Sequence, residues 1–561
     1  MAEPPGVQRG VGTVPTTDAG TRVVAEPSAQ QAGRRDRHAR RLLVALALIA
    51  AAVPLVVSMI VLLHGPSYEH YSDTALTELR TLDVGHHTPQ LGPFSRFTWT
   101  HPGPMLFLLL AGPYRLAGTD AAALGFASLL LAVAGVAIAI VVAARRGPSL
   151  VVAVMGVVLV LERTLGAGTF VLAWNPWVTL LPLLAYVLLA WAAAEGSLLA
   201  VPAVVAVGTF LVQSHLEYAP MVIVGLGAAG YGLWANRDAT TRRRRVTAVV
   251  SGALLGLVLW LPPLLDQISG SGNLGEILRY FTSSGPTAGI RVGYAAVAQQ
   301  LSIDASWVRG FDVGNTLQFA DGLRRGPLPI PIGVVPFAIA LWYAARRRWH
   351  DVLHLGVIVL AMTVVAIFAI AAIRGPLAPY LVRWTWVLGA AWLLVPIWVA
   401  VRAATDDRPR PALAMAVVGI ASAAFVASSF AAELPLQPQP GAPSSRNVAT
   451  LLRPLTARHE TVRLVAYPAA SWIYVLPTLA VALERQGVPV AVTRDLAAEF
   501  GRFRVERRAA RRIVVAAGAD IPRLLQRRDL RLLSITDDAA PPVALFRTRH
   551  QGSHEAVVRR R

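Results

Sequence analysis

Eleven apolar runs constrain this chain more than any other feature. They lie at 42–63, 121–144, 148–165, 177–194, 197–213, 219–235, 246–265, 328–345, 350–373, 379–402 and 411–432. A helix rising about 1.5 Å per residue needs about 20 residues to cross a hydrocarbon core of about 30 Å. The first run supplies 22, broken only by Pro54 and Ser58. It is too long for the apolar region of a signal peptide, and no small-x-small cleavage site follows it. Composition agrees. Of 561 residues 55% are hydrophobic and 15% charged, against about 45–50% apolar and about 25% charged in soluble domains. The expected fold is an all-α polytopic membrane protein of about eleven transmembrane helices.

The formal charge is +20, and every cationic side chain apart from histidine is Arg. Arg34, Arg35, Arg37, Arg40 and Arg41 precede the first run, which places the N-terminus in the cytoplasm. Alternating eleven spans from there puts Arg145–Arg146, Arg242 to Arg245, Arg346 to Arg348, and Arg402 with Arg408 and Arg410 on the inside. It leaves 64–120, 166–176, 214–218, 266–327, 374–378 and 433–561 outside. A plasma (inner) membrane protein is expected. Residues 104–117 are apolar, but only 14 long and interrupted by Pro113. They read as an interfacial or re-entrant helix, or as a short span; a span would move Arg145–Arg146 outside.

Three parts follow. Residues 1–40 read as a disordered cytoplasmic tail, lacking apolar periodicity up to 33. Residues 41–432 form the membrane module, with long outer loops at 64–120 and 266–327, lengths that usually signal function. Beyond a Pro/Gly/Ser linker at 437–446, residues 433–561 read as an extracytoplasmic α/β domain. Its strands are expected at Val462 to Tyr467, Val488 to Val492, Arg512 to Ala516, Arg531 to Ile535 and Val543 to Phe546, its helices at Ser471 to Arg485 and Ile521 to Gln526. This domain holds 21 Arg against 11 acidic residues. Its run Arg502, Arg504, Arg507, Arg508, Arg511 and Arg512 invites a nucleic-acid reading, which the outside location opposes. Anionic membrane lipids, acidic glycans, or simply solvent are the expected neighbours. There is no Cys, so disulfides, thiolate metal sites and a Cys nucleophile are excluded. No Gly-rich phosphate loop, HExxH or GxSxG stands out.

The first outer loop carries the best local signal, Tyr71-Ser-Asp-Thr-Ala-Leu-Thr-Glu-Leu-Arg80. Leu76, Leu79 and Leu82 form one apolar edge, which suggests a short helix lying on the membrane. Asp73 and Glu78, five apart, would not share a face. Ser72 or Asp73 can serve merely as a helix cap, or Asp73 can be a catalytic base. Then comes Ser95-Arg-Phe-Thr-Trp-Thr-His-Pro-Gly-Pro104, where Phe94, Phe97 and Trp99 suit a headgroup-level site and His101 begins a proline-fixed turn.

A basic N-terminus, one span, Asp73, an acid five later, an amphipathic helix, and then His101-Pro-Gly-Pro104 come in a telling order. It resembles the first outer loop of the GT-C superfamily of integral membrane glycosyltransferases. The nearest look is to the family-39-like branch, with its protein mannosyltransferases and lipid A aminoarabinose transferases. The resemblance covers roughly residues 40–195. It implies a polyprenyl-phosphate-linked sugar donor and a cell-envelope glycan, lipid or protein acceptor. It also implies Asp73 as the base that deprotonates the acceptor hydroxyl, with inversion at the anomeric carbon. Two departures stand out: Thr74 follows Asp73 where the branch has a second acid, and Trp174-Asn175-Pro176-Trp177 carries a neutral Asn where the branch often has Asp.

Transfer from a phosphate lipid needs a base and positive charge at the leaving phosphate. Arg383, about one turn into a span, is the expected phosphate ligand, unless it merely snorkels to the headgroups; Arg374, unless it merely marks the topology, and Tyr380 are expected to bind the donor phosphate with it. His215 and Glu217, between two spans, can bind sugar hydroxyls or hold a divalent cation with Asp73. Glu78, Trp99, His101 and Asn175 complete the expected substrate site; Asn273, Glu276, Arg279 and Tyr280 are acceptor-groove candidates. The competing reading is a transporter or flippase of a lipid-linked intermediate, whose polar residues would gather nearer the midplane.

Overall fold

The computed structural model describes residues 29–97, 99–309, 316–434, 442–536 and 542–549. Residues 1–28 of the expected tail and 437–441 of the expected linker lie outside them. Helix α1 (Ala29–Leu63) starts inside the expected tail. Once the span has formed, propagation through good helix formers is cheap.

Short helices α2 (Ser72–Asp83) and α3 (Met105–Ala117) follow, then α4 (Ala121–Ala144), α5 (Pro148–Leu165), α6 (Ala167–Phe170), α7 (Asn175–Val178), α8 (Leu180–Ala194), α9 (Ala200–Ser214), α10 (Ala219–Ala235) and α11 (Arg242–Ser269). The second long loop holds α12 (Asn273–Thr282), α13 (Ile290–Gln299), α14 (Ser306–Arg309) and α15 (Thr316–Arg325). The module closes with α16 (Val334–Arg346), α17 (His350–Ala371), α18 (Thr385–Thr405) and α19 (Pro409–Ala431). Among the described residues nine helical stretches are long and apolar enough to cross a membrane. The other two expected spans are the shorter α9 and α16. Helix α16 begins at Val334, not 328, because Pro329 and Pro331 deny the backbone a helical start.

The apolar surfaces fit an integral membrane protein. Helix α8 is apolar all round and buried along its whole length, whereas α11 turns Leu254, Leu257 and Val258 outward. Such a bare apolar exterior suits lipid, not water.

Polar groups mark the two ends of the bundle. At one end Arg146 pairs with Glu195 (3.6 Å), His354 with Glu195 (2.5 Å) and Arg402 with Asp351 (2.8 Å), and Ser149 bonds Asp407 at 2.6 Å. The turns carrying three of the four Arg clusters therefore meet there. The other end holds α2 and α3. The first amide of α3 donates to Gln213 at 3.2 Å, and near its last turn Tyr114 donates to Glu78 of α2 at 2.7 Å. Both ends of α3 are fastened to the same end of the bundle, and its 13 residues reach only about 20 Å.

Residues 442–549 include α20 (Ser445–Thr456), β1 (Val462–Tyr467), α21 (Trp472–Arg485), β2 (Val490–Ala491), α22 (Ala497–Phe500), α23 (Arg502–Glu506), β3 (Arg511–Ala517), α24 (Ile521–Leu525), β4 (Leu530–Ile535) and β5 (Val543–Thr548). The sheet order is β2-β1-β3-β5-β4. Strands β2, β1 and β3 run parallel, joined by crossovers as parallel pairing requires, and β5 lies antiparallel to β3 and β4.

This domain's core does not end with its own sequence. Ala75, Leu76 and Leu79 of α2 belong to one buried cluster with Leu451, Leu476, Leu479, Val490 and Phe500. The apolar edge read as membrane-facing is thus turned into protein: an amphipathic stripe shows that a face must be buried, not what covers it.

The basic run is also corrected. Arg504 is buried and grips Asp83 of α2 with two bonds, 2.7 and 2.9 Å, while its Nε meets Glu484 at 3.2 Å. Arg507 bonds Glu484 at 2.5 Å and Arg511 pairs with Glu460 at 3.1 Å. Half of the run is internal wiring, not a solvated face.

Candidate active site

A cavity of about 510 Å³ lies at the α2 end of the bundle. It gathers Asp73, Trp99, His101, Asn175, His215, Glu217 and Tyr380. Seven of the ten expected site residues converge there from five stretches of chain.

Asp73 sits in the first turn of α2. The cap position is Tyr71, without a side-chain cap bond, so the capping alternative for Ser72 or Asp73 does not hold. The Asp73 carboxylate instead accepts the indole N–H of Trp174 at 3.2 Å. Burial raises its pKa to about 6, against the opposing Trp174 bond. Trp174 packs on Tyr380 with centroids 4.8 Å apart, linking the acid to the start of α18.

His101 is fixed by its backbone. Its amide donates to Pro93 at 3.0 Å, and its carbonyl accepts from Gly92 at 2.9 Å. A Cβ at Gly92 would stand 2.6 Å from the Gln213 and Gly103 carbonyls, so only glycine fits. The His101 Nδ1 accepts the Leu216 amide at 3.1 Å, which leaves the ring proton on Nε2. The His215 ring stacks on it at 5.1 Å. Burial holds both imidazoles neutral, His101 well below its ordinary value and His215 at about 4. Glu217 accepts the Trp384 indole N–H at 3.1 Å. Asn175 donates to the Ser214 carbonyl at 3.0 Å, holding the turn that presents His215.

Three expected site residues lie elsewhere. Glu78 is fully buried between α2, α3 and α21, where it accepts from Tyr114 and faces Arg485 at 3.4 Å. Arg383 lines a separate narrow cleft, its guanidinium 4.9 Å from the Trp177 ring and 4.1 Å from the Trp386 ring. Inside an apolar bundle those π faces are favourable neighbours for the cation. Arg374 donates to Ser283 at 2.5 Å and lies 4.9 Å over Tyr280, pinning the second loop to the end of α17. Among the described residues no three His, Asp or Glu side chains come together as metal ligands.

The residue missed in the sequence is Arg96. It lines the cavity, covers Phe97 at 4.8 Å and donates to the Pro376 carbonyl. A lone Arg in an aromatic segment was the available signal. The cavity's opposite wall is apolar: Val365, Phe368, Ala369 and Ala372 of α17 face Ile277 and Phe281 of α12. Phe368 is 61% exposed, so this wall runs out to the lipid-facing surface.

Fold and site together define an integral membrane protein with an acid-bearing cavity beneath an α/β domain. No family model and no curated protein matches the chain. Solved structures similar to it include two of ArnT from Cupriavidus metallidurans, each match covering 89% of this chain and 97% of that one. They are the apo state, at 12% identity and a TM-score of 0.48, and the state bound to undecaprenyl phosphate, at 14% and 0.48.

Proposed function

We propose that this chain is a membrane glycosyltransferase that moves a sugar from a polyprenyl-phosphate donor to a hydroxyl of a cell-envelope acceptor, with Asp73 as general base. The observation that carries this reading is a raised-pKa carboxylate on a cavity whose other wall is apolar and opens toward lipid. The chain of the donor lies along α17 and α12. The acceptor hydroxyl gives its proton to the Asp73 carboxylate as its oxygen bonds to the anomeric carbon. The bond from that carbon to the phosphate oxygen breaks, and its electron pair leaves with the polyprenyl phosphate. Attack from the face opposite the leaving group inverts the centre. Arg96, the cation on the cavity wall, offsets the charge growing on the phosphate. Tyr380 and the Nε2–H of His101 are neutral donors for phosphate or sugar oxygens. Arg374 and Arg383 act at one remove, by holding Tyr280 and the tryptophans. No metal ion is called upon.

The membrane is the plasma (inner) membrane, with the N-terminus cytoplasmic and the cavity and 442–549 outside. Support comes from the Arg-bearing turns meeting at the far end of the bundle. The transport reading draws no such support, because the polar groups of the site gather at one end of the bundle.

The test is reconstitution of the full chain in vesicles with a panel of polyprenyl-phosphate sugars and an envelope extract as acceptor. Asp73-dependent release of polyprenyl phosphate is expected; its absence across the panel overturns the reading. In the same assay Arg96→Gln should raise the donor KM about tenfold or more, as loss of a charged hydrogen bond of about 1.5–3 kcal/mol predicts. Protease added to right-side-out cells should clip the C-terminal domain; clipping only in inverted vesicles reverses the topology.

A further inference from the structure

A second cavity, of about 320 Å³, adjoins the first. Phe94, Ser95, Arg96 and Trp99 line both. It forms where three distant parts of the chain meet: the first outer loop, the start of α12, and the C-terminal domain. Its lining is mixed, with Ser271, Asn273, Glu276 and Glu499 around Trp472.

We propose that this second cavity is the acceptor subsite, and that it takes one hydroxyl-rich sugar ring of a glycan, laid against Trp472 and bonded through its hydroxyls to Glu499. The proposal rests on the transferase reading above and adds the class of acceptor to it. Trp472 is set in place by edge-on contacts to Phe94 and Phe500, at 5.5 and 5.9 Å. An aromatic plane so held offers a ring-sized apolar face at little entropic cost. Glu499 has a carboxylate oxygen shielded from solvent and without a partner among the described residues. A buried acceptor atom left unmatched is costly, and a sugar hydroxyl supplies the missing donor. Glu276 is already engaged by Arg279 at 2.7 Å, whereas Glu499, bonded only through a backbone amide, has no cation beside it among the described residues.

The lining speaks against other acceptors. A lipid would call for an apolar wall, which belongs to the first cavity. A peptide added as a strand would call for an unpaired sheet edge, and no strand contributes to this lining. A volume near the small end of ligand pockets, about 300–1,000 Å³, suits a single ring. The four shared lining residues set this cavity beside the one that holds Asp73.

The test uses the full chain in lipid nanodiscs on an array of oligosaccharides and of Ser/Thr-containing peptides, with polyprenyl phosphate binding measured separately. Ala498→Trp fills the cavity from an exposed position without removing packing, and Glu499→Gln removes the charge. Wild type should retain glycans, and both variants should bind them at least tenfold more weakly with polyprenyl phosphate binding unchanged. Asp73→Asn should keep full glycan affinity. Unchanged glycan affinity in both variants, retention of peptides in place of glycans, or no glycan retention by wild type overturns the proposal. The outcome is separable from the transferase reading, which falls on absent Asp73-dependent turnover whatever the array shows.

Discussion

Asp73→Asn should bind donor as tightly as wild type and turn it over about 10²–10⁴-fold more slowly, the range that one positioned base contributes. The measurement is single-turnover release of polyprenyl phosphate. The pH profile adds a second readout. Burial raises the Asp73 carboxyl to about 6, and the base works only when ionised. Wild-type kcat should therefore be level above about pH 7 and fall about tenfold per unit below about pH 5.5; the Asn variant should lack that limb. Stability should move the other way. A carboxyl whose folded pKa lies above its unfolded value costs stability once pH rises past the unfolded value, with the full cost reached above the folded one. The Asn variant should thus unfold no more easily than wild type at pH 7.5. A variant that loses turnover together with its fold would remove Asp73 from the mechanism.

The second large effect is structural. Arg504→Met takes the shared cation from buried Asp83 and half-buried Glu484, of which Glu484 keeps Arg507 at 2.5 Å, and breaking a buried pair on one side costs about 3–5 kcal/mol. Arg80, 2.8 Å from Asp83, retains part of the interaction. Expected are a lowered thermal midpoint, release of the C-terminal domain to protease, and loss of turnover, since Asp83 and Asp73 share one short helix. Adding Asp83→Asn to Arg504→Met should recover part of the loss. If Arg504→Met alone keeps wild-type midpoint and protease resistance, the ion cluster does not hold the domain in place.

What the sequence disclosed follows from where the information lies. Apolar runs report candidate spans directly, and short apolar stretches between turn residues report β1, β3 and β4 to within one residue at each end. Asp73 and His101 stand out through the order of acidic, aromatic and proline residues after the first run, Tyr380 only through its place beside Arg383, and the fold brings all three to one cavity. Arg383 lines a cleft of its own: a charge inside a span signals an unusual environment without saying which side of the helix faces the Asp73 cavity. Arg96 was passed over because its neighbours drew the attention. Leu76 and Leu79 were assigned to the membrane because their true partners, such as Leu451 and Leu476, lie nearly 400 positions further on. Periodicity holds no record of a contact at that distance.

The dual allegiance of α2 has a consequence for how the protein comes into being. During synthesis the segment bearing Asp73 emerges well before the apolar bed, Leu451 to Phe500, on which α2 packs. Until that bed has formed, Leu76 and Leu79 have no covering and α2 is held only through contacts with the bundle such as the Trp174 bond to Asp73. On the transferase reading proposed above, an incompletely made chain would therefore carry its acid on an unseated helix.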